Sequence, residues 1–190
     1  QLLRFGSTPT LYQAIPRGTH NFNKIVKKLQ RLKVDVIYFA GLYPEVSALA
    51  KALNQQQLQI PLVSGDAIAV EKFVTAAGGA NAVRSVIMTF VTEPNNLVSS
   101  KKLIHEMRQQ NLETSGYSLY TYAAVQVIAK AIDATNSTDG KKLANWLHHH
   151  EVETVIGKKS WDTNGEIIDA EFKLYSWHDQ GKLELLALEL

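Results

Sequence analysis

From Lys33 to Phe90 the chain switches repeatedly between short apolar runs and helical spacing. Val34-Asp35-Val36-Ile37-Tyr38-Phe39 is rich in β-branched and aromatic residues, which predicts a strand, and Ala40-Gly41-Leu42-Tyr43-Pro44 breaks it. Val46, Leu49, Ala50 and Leu53 then fall at i, i+3, i+4 and i+7, the apolar face of a helix. Ile60–Val63 predicts the next strand, Ser64-Gly65-Asp66-Ala67 a loop, Ala69–Ala77 a helix and Val83–Phe90 a closing strand. Alternation of this kind predicts an α/β fold, a parallel sheet with helical crossovers. Ligands of such sheets collect beyond the carboxyl ends of the strands, where the loops at 40–44 and 64–67 would lie side by side.

Upstream, Gln1–Phe5 reads as the frayed end of a helix, Gly6–Pro9 as a breaker cluster and Thr10–Ile15 as a further strand. After a turn at Pro16–His20, Asn21 is placed to cap a helix with Phe22, Ile25, Val26 and Leu29 on one face. Downstream of Phe90 the rhythm changes. Thr92–Asn96, with Pro94, leaves the sheet, and helices are predicted at Leu97–Gln110, Tyr117–Asp133 and Asp139–His149. The middle helix carries Tyr120, Ala124, Val127, Ile128 and Ala131 on a broad apolar side that needs a partner. The chain closes with a β unit. Thr154–Ile156 and Ser160-Trp161 flank Gly157-Lys158-Lys159, and Asp162-Thr163-Asn164-Gly165 is a turn signal. Phe172–Trp177 alternates as a strand, Asp179–Lys182 turns the chain, and Leu183–Leu188 is a last strand.

Composition narrows the class. The 190 residues can form one good core or two small ones, and 45% apolar with 20% charged content is that of a globular protein. A net charge of +2 without a long Lys/Arg run argues against a nucleic-acid partner. No apolar run approaches the roughly 20 residues of a membrane span. Cysteine is absent, which excludes disulfides, thiol catalysis and cysteine-held metal. The chain begins at Gln1 rather than Met and reads as a processed or excised piece, so the lack of a visible signal peptide says little about location.

Several motifs together resemble a known family. They are Asp35–Glu45, Gly116–Gln126, Glu153-Thr154-Val155-Ile156-Gly157, Trp161–Glu166 and Tyr175-Ser176-Trp177-His178. In this order and spacing they resemble the leucine/isoleucine/valine-binding proteins, type I periplasmic solute-binding proteins that feed ABC importers. The resemblance covers almost the whole chain but only the C-terminal half of a family member, so it implies an incomplete two-lobe architecture with a C-terminal β unit. Residues 1–92 resemble most of the second lobe, 93–170 the helices and hairpin belonging to the first lobe, and 171–190 the strands returning to the second.

The resemblance implies a binding component for a branched-chain or related amino acid or amide, a membrane ABC permease as partner, a periplasmic location and no cofactor. Asp66 matches the position whose carboxylate pairs with the ligand's α-ammonium, and a desolvated carboxylate at a strand end makes a strong charge-assisted hydrogen bond. From the residues alone Asp66 reads as a helix N-cap or turn aspartate. Leu42 stands where relatives carry tyrosine, and Tyr43 follows one place later, either leaning toward the ligand or packing on the helix that Pro44 starts. Tyr117 matches an aromatic lining position, or is a half-buried tyrosine at a helix start.

Other candidates give way to plainer readings. His148-His149-His150 is a favourable charge placement at a helix C-terminus. Ser99 and Lys102 form an S-x-x-K without partner motifs, and Gly78-Gly79 is a helix cap rather than a phosphate cradle. Asn136-Ser137-Thr138 matches a glycosylation acceptor, relevant in a eukaryotic secretory setting. No nucleophile–base pair or paired carboxylates appear at useful spacing, so an enzyme is not expected. The competing expectation is a truncated, non-binding relative that persists as a structural or interaction protein. In either case the apolar face around Ala124, Val127 and Ile128 predicts self-association, including exchange of the 93–170 segment between two copies.

Overall fold

The computed structural model describes residues 2–70, 72–92, 94, 97–112, 114, 116–168, 170–177 and 183–185. The chain divides into two compact units, residues 1–90 with 172–190, and residues 91–171.

The first unit is built on a five-stranded sheet. Strands β1 (Ile37–Phe39), β2 (Leu62–Ser64) and β3 (Val86–Val91) run parallel, in register Ile37↔Leu62 and Leu62↔Val86. Strand β6 (Phe172–Trp177) lies beside β3 and pairs antiparallel with β7 (Leu183–Leu185), giving the order β1-β2-β3-β6-β7. Helices α1 (Asn23–Leu32), α2 (Tyr43–Gln55), α3 (Lys72–Ala77) and α4 (Ala80–Val83) belong to the same unit. The expected apolar face of α2 is real: Val46, Leu49, Ala50 and Leu53 are all buried. Val86, Met88 and Phe90 alternate inward along β3, with Thr89 outward. Aromatic contacts finish the core, with Phe73 5.7 Å from Trp177 and Phe90 6.2 Å from Tyr175, centroid to centroid.

The first unit departs from expectation in two places. Thr10–Ile15 forms no strand: the segment has no ladder partner among the described residues, Tyr12 is 91% exposed, and only Leu11 and Ile15 are half-buried. A strand needs a neighbour as well as a pattern. The helix expected at Ala69–Ala77 is instead a 3-10 turn (Asp66–Ile68) followed by the short α3, and α4 opens past Gly78 and Gly79. Both glycines have positive φ, 94° and 109°, and their N–H groups bond back to Thr75 and Val74, which ends α3 as anticipated.

The second unit contains α5 (Lys101–Gln109), α6 (Gly116–Thr135), α7 (Gly140–Leu147) and a hairpin of β4 (Val152–Thr154) and β5 (Gly157–Lys159). Asp139 caps α7 by accepting the Lys142 N–H at 3.0 Å. Its core gathers Ile104, Leu119, Ala123 and Ile156. Gln126 on α6 accepts the Val155 N–H at 2.9 Å, which fastens the hairpin turn to the helix. The buried stripe of α6 is Leu119, Ala123, Val127 and Ala131, at four-residue spacing, rather than the one anticipated. Ala124 and Ile128, expected beside Val127, lie on the next rows and are exposed, together with Val125 and Tyr122. The expected turn at Asp179–Lys182 and the part of the last strand beyond Leu185 fall outside the described residues. Among the described residues, no helix is long and apolar enough to cross a membrane.

Candidate functional site

Two chain exits define the site. β1 and β2 run in the same direction with Phe39 opposite Ser64, so the segments that follow them leave the sheet at one edge. A buried side chain joins the exits: Ser64 Oγ donates to the Phe39 carbonyl at 2.9 Å. Gly41 is required by close approach, since a Cβ there would run into the Phe39 ring. That ring is itself set edge-on against Phe22 at 6.1 Å.

Asp66 is the first residue of the 3-10 turn beyond β2. It is exposed, and its carbonyl accepts the Ala69 N–H at 2.8 Å. Across the edge, Leu42 is extended (φ −91°, ψ 164°) and 48% exposed just before α2, and Tyr43 is half-buried as the first residue of that helix. Pro44 follows in the first turn, where a missing N–H costs nothing. The structure therefore brings Leu42, Tyr43 and Asp66 onto one edge of one unit. Tyr117 stands in the first turn of α6, 37% exposed, in the other unit.

Sequence reasoning passed over Glu45. Its carboxylate is buried and accepts the Gly18 N–H at 2.7 Å, tying the turn at 16–19 to the start of α2. That hydrogen bond, then the bond to its own backbone N–H and the charges of Arg17 and His20, hold the carboxyl below its ordinary value against the opposing effect of burial. A Glu three places into a helix, after Pro44, is a recognisable first-turn signal, but its partner 27 residues upstream is not. Tyr43 also borders a groove of about 500 Å3, lined by the start of α1, one face of α2 and Ala76 of α3.

The histidine run has local employment. His149 and His150 share hydrogen bonds with the carbonyls of Asn145 and Trp146 one turn back, both at 2.7 Å, and His148 with that of Asp162 at 2.6 Å. Among the described residues no three His, Cys, Asp or Glu side chains converge on a metal site.

Comparison with known proteins agrees with the fold. The family model described as "Periplasmic binding protein" matches residues 6–182. An amino acid binding protein of Pseudomonas aeruginosa is 36% identical over 186 residues, 98% of this chain and 50% of its own length. Leu/Ile/Val-binding protein homolog 1 of Brucella abortus is 32% identical over 178 residues, 93% of this chain and 47% of its own. A leucine-binding protein of Thermotoga maritima superposes with a TM-score of 0.78 at 20% identity, covering 91% of this chain and 49% of that one. These relatives are binding proteins rather than enzymes, and the chain spans about half of their length. With the family model matched over most of its residues and a sheet of the same α/β type, the chain belongs to the periplasmic binding protein family.

Proposed function

We propose that this chain contributes to a substrate-binding component of an ABC importer for branched-chain or related amino acids or amides, acting in the periplasm with a membrane permease. Asp66 pairs with the ligand's α-ammonium, and Leu42 and Tyr43 shape the space for its side chain. In this reading residues 1–92 and 171–190 make up one lobe of the family architecture, and 93–170 belong to the other. The observation that carries it is the parallel edge at Phe39 and Ser64, which sets an exposed carboxylate opposite an apolar loop. A carboxylate there selects an amine, and Leu42 favours an aliphatic body beside it.

The test is a thermal-shift screen of amino acids and small amides on the chain and on Asp66→Ala. A rise in melting temperature that disappears in the variant supports the ammonium site, because a ligand that binds the native state alone stabilises it. No response to any of these ligands rejects the assignment and leaves the non-binding relative as the reading.

The chain also self-associates in this account. Tyr117, Ala124, Val125 and Ile128 share one exposed, uncharged face of α6. Apolar helix faces of this kind seek cover. Light scattering that finds a strict monomer at high concentration rejects this, and with it the exchange of the 93–170 segment.

A further inference from the structure

We propose a second ligand site in the groove of the first unit, one that takes a small aliphatic carboxylate and whose lining does not include Asp66. Its volume, about 500 Å3, is within the range of small-molecule pockets. Among the described residues the lining includes Lys51 and His20 and neither Asp nor Glu. Glu45, the anion whose charge reaches His20, accepts the Gly18 N–H and is not part of the lining. Lys51 is exposed and makes no ion pair among the described residues, so its ammonium is available to a ligand in the groove.

The remaining lining suits the rest of such a molecule. Asn21, Asn23 and Gln55 provide carboxamides at the rim, and Ala48, Ala52 and Ala76 present methyl groups on which a short hydrocarbon can rest. A carboxylate paired with Lys51 gains a charge-assisted hydrogen bond, and its methylenes leave water against the alanines. The same geometry discriminates against a neutral amide of equal size, which cannot pair with the ammonium.

Succinate, with succinamide as its neutral counterpart, tests the site by backbone amide NMR at constant ionic strength. Saturable shifts centred on Asn21, Ala48, Lys51 and Ala52 with succinate, and none with succinamide, are expected. Lys51→Gln should weaken binding at least tenfold, and Ala52→Leu, which fills the floor and keeps the charge, should abolish it. Asp66→Asn should leave the succinate response intact, which separates this site from the amino-acid site. Shifts that never saturate, that succinamide reproduces, or that survive Lys51→Gln overturn the proposal.

Discussion

The hydrogen bond from Ser64 to the Phe39 carbonyl holds the two site loops together, and its removal has a calculable effect. Ser64 is 1% exposed and its Oγ lies 2.9 Å from the acceptor. A typical net hydrogen bond contributes about 0.5–1.5 kcal/mol, and a carbonyl left dry and unpaired costs about 1–3 kcal/mol. Phe39 is half-buried, so water reaches part of the orphaned carbonyl and the lower end of the second figure applies. Ser64→Ala should therefore destabilise the first unit by about 1–2 kcal/mol. With an m value of about 2 kcal/mol/M in urea, the midpoint falls by roughly 0.5–1 M. The assay is urea denaturation followed by Trp177, the tryptophan of β6, in a background where Trp146 and Trp161 are phenylalanine. Because the bond also sets the distance between the loops that carry Leu42 and Asp66, Ser64→Ala should weaken amino-acid binding more than Thr89→Ala, an exposed change on β3. A midpoint shift under about 0.2 M would mean that the bond does not hold the edge together.

Other perturbations probe separate supports. Gly41→Ala should cost about 1–3 kcal/mol, because the new methyl displaces the Phe39 ring from Phe22; a neutral effect on melting would contradict the close approach. Glu45→Gln tests the tie to Gly18 through pH. The folded carboxyl sits below its ordinary 4.5, so its contribution is complete above that value and lost as pH falls through the folded one. The variant should be less stable than wild type near neutrality and converge with it in acid, and parallel stability–pH curves would refute this. Leu119→Ala, at the centre of the second unit's core, should cost about 2–5 kcal/mol in denaturation read from Trp146 and Trp161.

The parallel order of β1, β2 and β3 was legible because each is a short apolar run and helical segments separate them, regular in α2 and broken into α3 and α4. α2 was legible because its buried Val46, Leu49, Ala50 and Leu53 fall at i, i+3, i+4 and i+7. Thr10–Ile15 misled because alternation records a residue's two faces but not the presence of a neighbouring strand. α6 misled because it is apolar around most of its circumference, so several stripes fit the period and packing chose Leu119, Ala123, Val127 and Ala131. At the site, the exit at Asp66 could be read from strand order. The ties from Ser64 to Phe39 and from Glu45 to Gly18 could not, since each links a side chain to backbone 25 or 27 residues away. Long-range bonds of this kind leave no periodic trace. The groove beside Lys51 arises from alanines on facing helices, a feature visible only once α2 and α3 are packed.

The central claim is that the carboxylate beyond β2 recognises an α-ammonium group. Calorimetric titration of the chain and of Asp66→Asn, with leucine and with 4-methylpentanoate, its analogue lacking the amine, tests this most directly. The account predicts that wild type binds leucine but not the analogue, and that Asp66→Asn loses leucine binding. Equal binding of both compounds by wild type, or undiminished leucine binding by the variant, would contradict it.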